Sequence, residues 1–136
     1  MDKRPTSVTV ISVIMIVFGS LGLLGVLAIV DLQDDPMIQD ALAQVDVPVP
    51  VHIAMSGVGM AVGIVSGVAF LLRQGWMRFV YMAWWLIGFI YGYMANPYWI
   101  LSMPMSVAFF GIVMYFLFSP KARAWFGGKA SAAPAA

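Results

Sequence analysis

His52 and the five aspartates Asp31, Asp34, Asp35, Asp40 and Asp46 are the side chains between residues 30 and 53 with the chemistry to hold a metal ion or move a proton. An imidazole beside carboxylates suits a divalent cation, and a metal-dependent sensor or enzyme built on His52, Asp31, Asp34 and Asp35 is one reading of this stretch. The spacing argues against it. The five positions match no calcium-loop pattern, and one histidine with scattered carboxylates is a weak metal signature. The 136 residues include no cysteine and no glutamate, which removes disulfides, thiolate ligands and cysteine nucleophiles. Nucleophile-elbow, phosphate-loop, dinucleotide and zincin motifs are absent, and no basic patch is large enough for nucleic acid. We therefore expect no catalytic residues, no bound metal, no resident cofactor and no nucleic-acid partner.

Apolar chemistry is the alternative. Trp84, Trp85, Met103 and Phe109 belong to an aromatic and methionine-rich second half, where a lipid, quinone or other hydrophobic molecule would find a surface to pack on. A second set consists of glycines. Gly59, Gly63 and Gly67 recur at spacing four, and Gly88 and Gly92 repeat the interval. Such rows let a second helix backbone approach closely inside a membrane. The interval serves equally for packing within one bundle and for a seam between chains. Gly19, Gly22 and Gly25, at spacing three, carry a weaker version of the signal.

These residues need elements to hold them, and composition states which kind. With 62% hydrophobic and 10% charged residues, the chain lies far from a soluble domain. Four apolar stretches, 8–30, 51–72, 79–95 and 98–118, contain no Asp, Glu, Lys or Arg. At about 1.5 Å per residue the first, second and fourth cross a hydrocarbon core of about 30 Å, and the third is marginal. Trp76 on one side and Tyr98 with Trp99 on the other support its insertion as interfacial anchors. The first stretch follows Lys3 and Arg4 as a secretory leader would, but it exceeds the apolar core of a leader and is expected to stay as an anchor. The expected fold is all-α: a four-transmembrane-helix bundle over 1–126 with an Ala-rich tail over 127–136. Pro104 is expected to kink the fourth helix.

Charge gives the orientation. The seven basic residues lie at Lys3 and Arg4, at Arg73 and Arg78, and at Lys121, Arg123 and Lys129, which four crossings place on one side. The positive-inside rule puts that side, with both termini, in the cytoplasm. The first extracytoplasmic loop then carries the aspartates and a short amphipathic helix over about 36–45. Asp35 is its N-cap, Pro36 its first residue, and Ile38 and Leu42 lie on its apolar face. Asp35, Ile38 and Leu42 are the candidate contacts of this loop. A second short helix over 120–126 is expected to rest its basic and aromatic residues on anionic headgroups.

Three short patterns add a resemblance: Arg4-Pro5 before Val8-Thr9-Val10-Ile11, Gly75-Trp76 with Arg78, and Phe118-Ser119-Pro120 with Phe126. Together they resemble a diffuse group of small bacterial four-helix membrane proteins of unknown function. The resemblance implies a bacterial inner membrane and no particular activity, and the acidic loop with its Asp35-Pro36 helix lies outside it.

No ionisable side chain lies within the membrane core, which removes the usual machinery of ion coupling and proton relay. Small multidrug transporters share this size and helix number but require a carboxylate in the first helix, where this chain has none. The leading expectation is a non-catalytic accessory or assembly subunit, meeting a membrane-protein partner or its own copies through the glycine rows and the outer helix. The alternative is a binding or transport module for a lipid, quinone or other hydrophobic molecule.

Overall fold

The computed structural model describes residues 3–127, and of Pro97 and Trp99 the backbone alone; the expected Ala-rich tail beyond Gly127 lies outside the described residues. Six α-helices follow one another: α1 (Thr6–Asp31), α2 (Pro36–Ala43), α3 (Val49–Leu71), α4 (Met77–Ala95), α5 (Met103–Leu117) and α6 (Pro120–Phe126). A 3₁₀ segment, Pro97–Leu101, joins α4 to α5, and the described residues include no strand. Two of the helices, α1 and α3, are long and apolar enough to cross a membrane. The pair α5 and α6, bent by 61°, makes a third candidate if counted as one span. Large apolar side chains on the outside, such as Phe18 at 68% exposure, Leu24 at 62% and Ile90 at 65%, suit lipid rather than water.

Helix boundaries follow local chemistry. Asp35 caps α2, its carboxylate accepting from the Met37 amide at 2.8 Å, and Pro36 supplies the fixed φ of the first turn. The helix expected to begin near Tyr98 begins instead at Met103. Pro104 lies in its first turn, where a missing N–H costs nothing, so proline starts this helix rather than kinking it. Pro97 opens the preceding 3₁₀ segment in the same way.

The tightest packing joins α1 and α3. Val8, Ile11, Ser12, Met15 and Gly19 form the buried stripe of α1, at helical spacing. Ser66, Gly67 and Phe70 are the buried residues of α3. A Cβ on Gly67 would stand 2.8 Å from the Ser12 carbonyl oxygen, and one on Gly19 would stand 3.1 Å from the Met60 carbonyl oxygen. Each helix thus lends one glycine to a close backbone approach at opposite ends of an antiparallel contact. The hydroxyl of Ser12 donates to its own helix, at 2.7 Å from the Val8 carbonyl, whereas the buried hydroxyl of Ser66 has no hydrogen-bond partner.

Helix α4 runs antiparallel to α3, with Trp84 opposite Gly59 and Tyr91 opposite His52. Aromatic contacts join α4 to α5: Trp85 lies 5.3 Å from Phe110 between ring centroids, and Phe79 lies 5.8 Å from Phe118.

The buried core gathers at the end that carries the basic residues. Phe70, Met77, Tyr81, Val113, Leu117, Ala122 and Trp125 meet there. The strip of Lys121, Arg123, Trp125 and Phe126, expected to rest on headgroups as a unit, divides: Lys121 and Arg123 are exposed, whereas Trp125 is buried and Phe126 half-buried. Ser119 caps α6, accepting from the Ala122 amide at 3.3 Å, and the 61° bend turns α6 underneath the bundle. Ala122 and Trp125 are consequently buried. The Trp125 indole N–H donates at 3.4 Å to the Phe70 carbonyl, which also accepts from the Arg73 amide at 3.3 Å.

Arginines close this end. Arg73 Nε donates to the Trp125 carbonyl at 2.9 Å while its guanidinium stands 4.3 Å from the indole centroid, and Arg4 stands 5.5 Å from the same ring. Arg73 holds a left-handed φ of 63°, a conformation costing roughly 1–2 kcal/mol for a residue with a Cβ. Arg78 donates to the Gly75 carbonyl at 3.0 Å and the Leu117 carbonyl at 3.1 Å, with Phe126 and Phe118 at 4.7 and 4.9 Å. Arg123 lies close enough to Arg78 for the two like charges to interact. Trp125→Ala should therefore remove a buried indole, its hydrogen bond and the seat of two arginines. A loss of about 3 kcal/mol or more is expected, read as a lower thermal midpoint in mild detergent. An unchanged midpoint would show that α6 does not bear on stability.

Candidate functional site

An apolar groove of about 850 Å³ opens between α1, α3, α4 and α5. Ile14, Phe18 and Leu21 form its α1 wall, Trp84, Trp85 and Phe89 its α4 wall, and Phe109 with Ser106 its α5 edge. Gly59 and Gly63 of α3 and Gly88 of α4 line it as well. The volume falls in the range of small-molecule sites, and the wall chemistry suits a hydrocarbon. Among the described residues no group of three His or Asp side chains is placed to hold a metal ion.

The glycines divide into two roles that the sequence does not separate. Gly67 packs against α1, as the row suggests. Gly63 and Gly88 do not: a Cβ added at either position would meet no atom within 4 Å. Their missing side chains leave the groove open rather than admitting a neighbouring backbone. Gly59 lies between these cases, its added Cβ 3.3 Å from the Trp84 indole nitrogen. Gly92 stands in the last turn of α4, where its carbonyl accepts from the Asn96 amide at 3.1 Å. The closest approaches come from the weaker triplet in α1. Gly19 meets α3 backbone, and an added Cβ on Gly22 would clash with the Met60 side chain.

Of the four residues expected to offer a hydrophobic surface, Trp84, Trp85 and Phe109 come together in the groove. Met103 does not line it: Met103 begins α5, and the α5 residues at the groove are Ser106 and Phe109. Trp85 is the centre of an aromatic cluster, at 6.3 Å from both Tyr81 and Phe109 and 5.4 Å from Phe89.

A second cavity, about 290 Å³, lies toward the end that carries the aspartates. It is lined by Gly25, Val26 and Ile29 of α1, His52, Ile53 and Ser56 of α3, and Leu42 of α2. Leu42 and Ile38 are half-buried, whereas Asp35 is exposed and its carboxylate caps α2. Beyond α2, the Asp46 amide donates to the Ala95 carbonyl at 2.8 Å and ties this segment to the end of α4. His52 Nδ1 stands 3.0 Å from the Tyr91 hydroxyl, with the rings stacked at 6.2 Å between centroids.

Sequence reasoning missed Tyr91 as a partner of His52, and it missed the wall residues Ile14, Phe18 and Met60. Only the antiparallel pairing of α3 and α4 brings residues 52 and 91 together, and no local spacing encodes that pairing. The three short patterns behind the resemblance, by contrast, converge at the basic end: Arg4 donates to the Leu71 carbonyl at 3.3 Å, and an added Cβ on Gly75 would stand 3.0 Å from Phe126. No protein-family model, curated protein or solved structure matches this chain.

Proposed function

We propose that this protein is a non-catalytic membrane module that holds a hydrophobic molecule, a lipid or a quinone, in the groove between α1, α3, α4 and α5. The supporting observation is that Gly63 and Gly88 keep a tryptophan-walled volume of about 850 Å³ open inside an otherwise helical bundle. A groove of that size and wall chemistry suits an apolar molecule with most of its surface against protein.

The proposed setting is a bacterial inner membrane, crossed four times, with both termini in the cytoplasm and α2 outside. Beyond α1 and α3, the 19 residues of α4 extend about 28 Å at 1.5 Å per residue. The 15 residues of α5 reach about 22 Å, and the 3₁₀ segment adds about 10 Å at 2.0 Å per residue. Both lengths match the hydrocarbon core of about 30 Å. Arg4, Arg73, Arg78 and Arg123 meet at one end of the bundle, as the positive-inside rule asks of a cytoplasmic face.

Native mass spectrometry of protein extracted in mild detergent tests the proposal. A retained lipid or quinone is expected on the wild type and should fall at least tenfold in occupancy in the Trp84→Ala, Trp85→Ala double variant, which strips two aromatic walls. No retained ligand on the wild type would defeat it. The same spectrum addresses a second reading, an accessory or self-associating subunit, which is favoured by the exposed face of α5, where an added Cβ on Gly111 meets nothing within 4 Å. A stoichiometric protein partner with an empty groove would support that role instead.

A further inference from the structure

The central groove does not stop at Met60. Gly22 and Met60 line both cavities, and the Met60 side chain is seated directly over Gly22, so a single flexible thioether is the partition between them. On the far side of that partition stands His52, a polar ring in a chamber otherwise lined by glycine, aliphatic side chains and Ser56.

We propose, building on the groove as a ligand site, that the ligand is an amphiphile with one long hydrocarbon tail and an uncharged carbonyl-type oxygen at its head. The tail fills the groove past Met60, and the head accepts a hydrogen bond at the His52–Tyr91 pair. A tyrosine hydroxyl donating to Nδ1 leaves the imidazole proton on Nε2, which is then a donor for an oxygen acceptor. His52 lies in the first turn of α3, and eleven residues separate it from Gly63, about 16 Å along the axis. A long acyl or isoprenoid tail spans such a distance.

Charge decides what kind of head fits. Arg4, Arg73, Arg78 and Arg123 belong to the opposite end of the bundle, while Asp31, Asp34, Asp35, Asp40 and Asp46 lie at the His52 end. Among the described residues a phosphate head would find no cation at that end, whereas a neutral carbonyl needs only the donor. Two sources share this chemistry, an acyl ester and an isoprenoid quinone.

Photolabelling of the purified full-length protein in detergent micelles distinguishes them. Three probes are used: a diazirine-bearing monoacylglycerol, an azido-benzoquinone with an isoprenoid tail, and a diazirine alkane of similar length with no oxygen. One of the two oxygen-headed probes should label the wild type, and which one identifies the source. H52F and Y91F should each weaken that labelling about three- to tenfold, the loss of one hydrogen bond, with H52Q retaining it and alkane labelling unchanged in every variant. Equal labelling of H52F, Y91F and wild type would overturn the head site while leaving the groove standing. So would alkane labelling that falls in parallel in Y91F, a variant that loses only an oxygen. A wild type labelled by the alkane alone overturns the head site, and one labelled by none of the three overturns the groove as well.

Discussion

Gly67→Val is expected to cost about 3 kcal/mol or more and to separate α1 from α3, while Gly63→Val, one turn away in the same row, should change stability by less than about 0.5 kcal/mol. The two glycines differ only in what stands opposite them. At Gly67 a Cβ would lie 2.8 Å from the Ser12 carbonyl oxygen and 2.8 Å from Ile16 Cγ1. A backbone oxygen cannot rotate away as a side chain can, so the helices must part, and the stripe of Val8, Ile11 and Met15 loses its contact with Phe70. At Gly63 the added carbons enter open space. Thermal unfolding of both variants in the same mild detergent measures the difference. Equal destabilisation would mean that the row has a single packing role and that the open space at Gly63 is not present in the protein in solution.

Gly88→Phe carries the second large effect, on ligand rather than on stability. Its ring would project from α4 into the groove, where Gly88 now leaves a gap between the Trp84 and Phe89 walls. Phenylalanine suits a membrane helix, and nothing lies within 4 Å of the new Cβ, so the fold should tolerate it. Occupancy by a retained hydrophobic ligand should fall about tenfold or more, the result of displacing it from part of its volume. Native mass spectrometry gives the occupancy, and an unchanged thermal midpoint without ligand shows that the bundle persists. A Gly88→Phe protein that keeps its full ligand complement would place the binding site elsewhere.

The elements were readable in the sequence because hydropathy is a local property. The apolar stretch at 8–30 is α1 within a few residues, 51–72 is α3 and 79–95 is α4. The last stretch was harder, because Tyr98 to Leu101 is as apolar as the helix that follows. Hydropathy continues through Pro104, but the backbone does not: Pro97 opens the 3₁₀ segment and Pro104 lies in the first turn of α5.

The candidate site was readable only in part. Trp84, Trp85 and Phe109 announced an apolar surface by composition, and they do share a groove. The use of each glycine was not readable, since a spacing of four puts residues on one face of a helix without naming what faces it. Gly67 faces a backbone, Gly63 faces empty space, and the sequence pattern is the same for both. The burial of Trp125 depends on a 61° bend between two helices, which the Ser119-Pro120 pair permits but does not dictate. The pairing of His52 with Tyr91 depends on the register between α3 and α4, fixed by the turn that Arg73 and Gly75 shape.

The confinement of the buried core to the basic end has a mechanical consequence. Phe70, Leu117 and Trp125 tie the helices together there, while at the His52 end α3 and α4 are held by few side chains. Such a bundle is a lever with its pivot at one face. From Phe70 to His52 the lever arm is eighteen residues, about 27 Å at 1.5 Å per residue. A rotation of about 5° at the pivot moves the far end by about 2 Å. A small tilt of α4 about the core around Trp125 therefore changes the His52–Tyr91 spacing at the other end of the bundle, with no helix needing to bend.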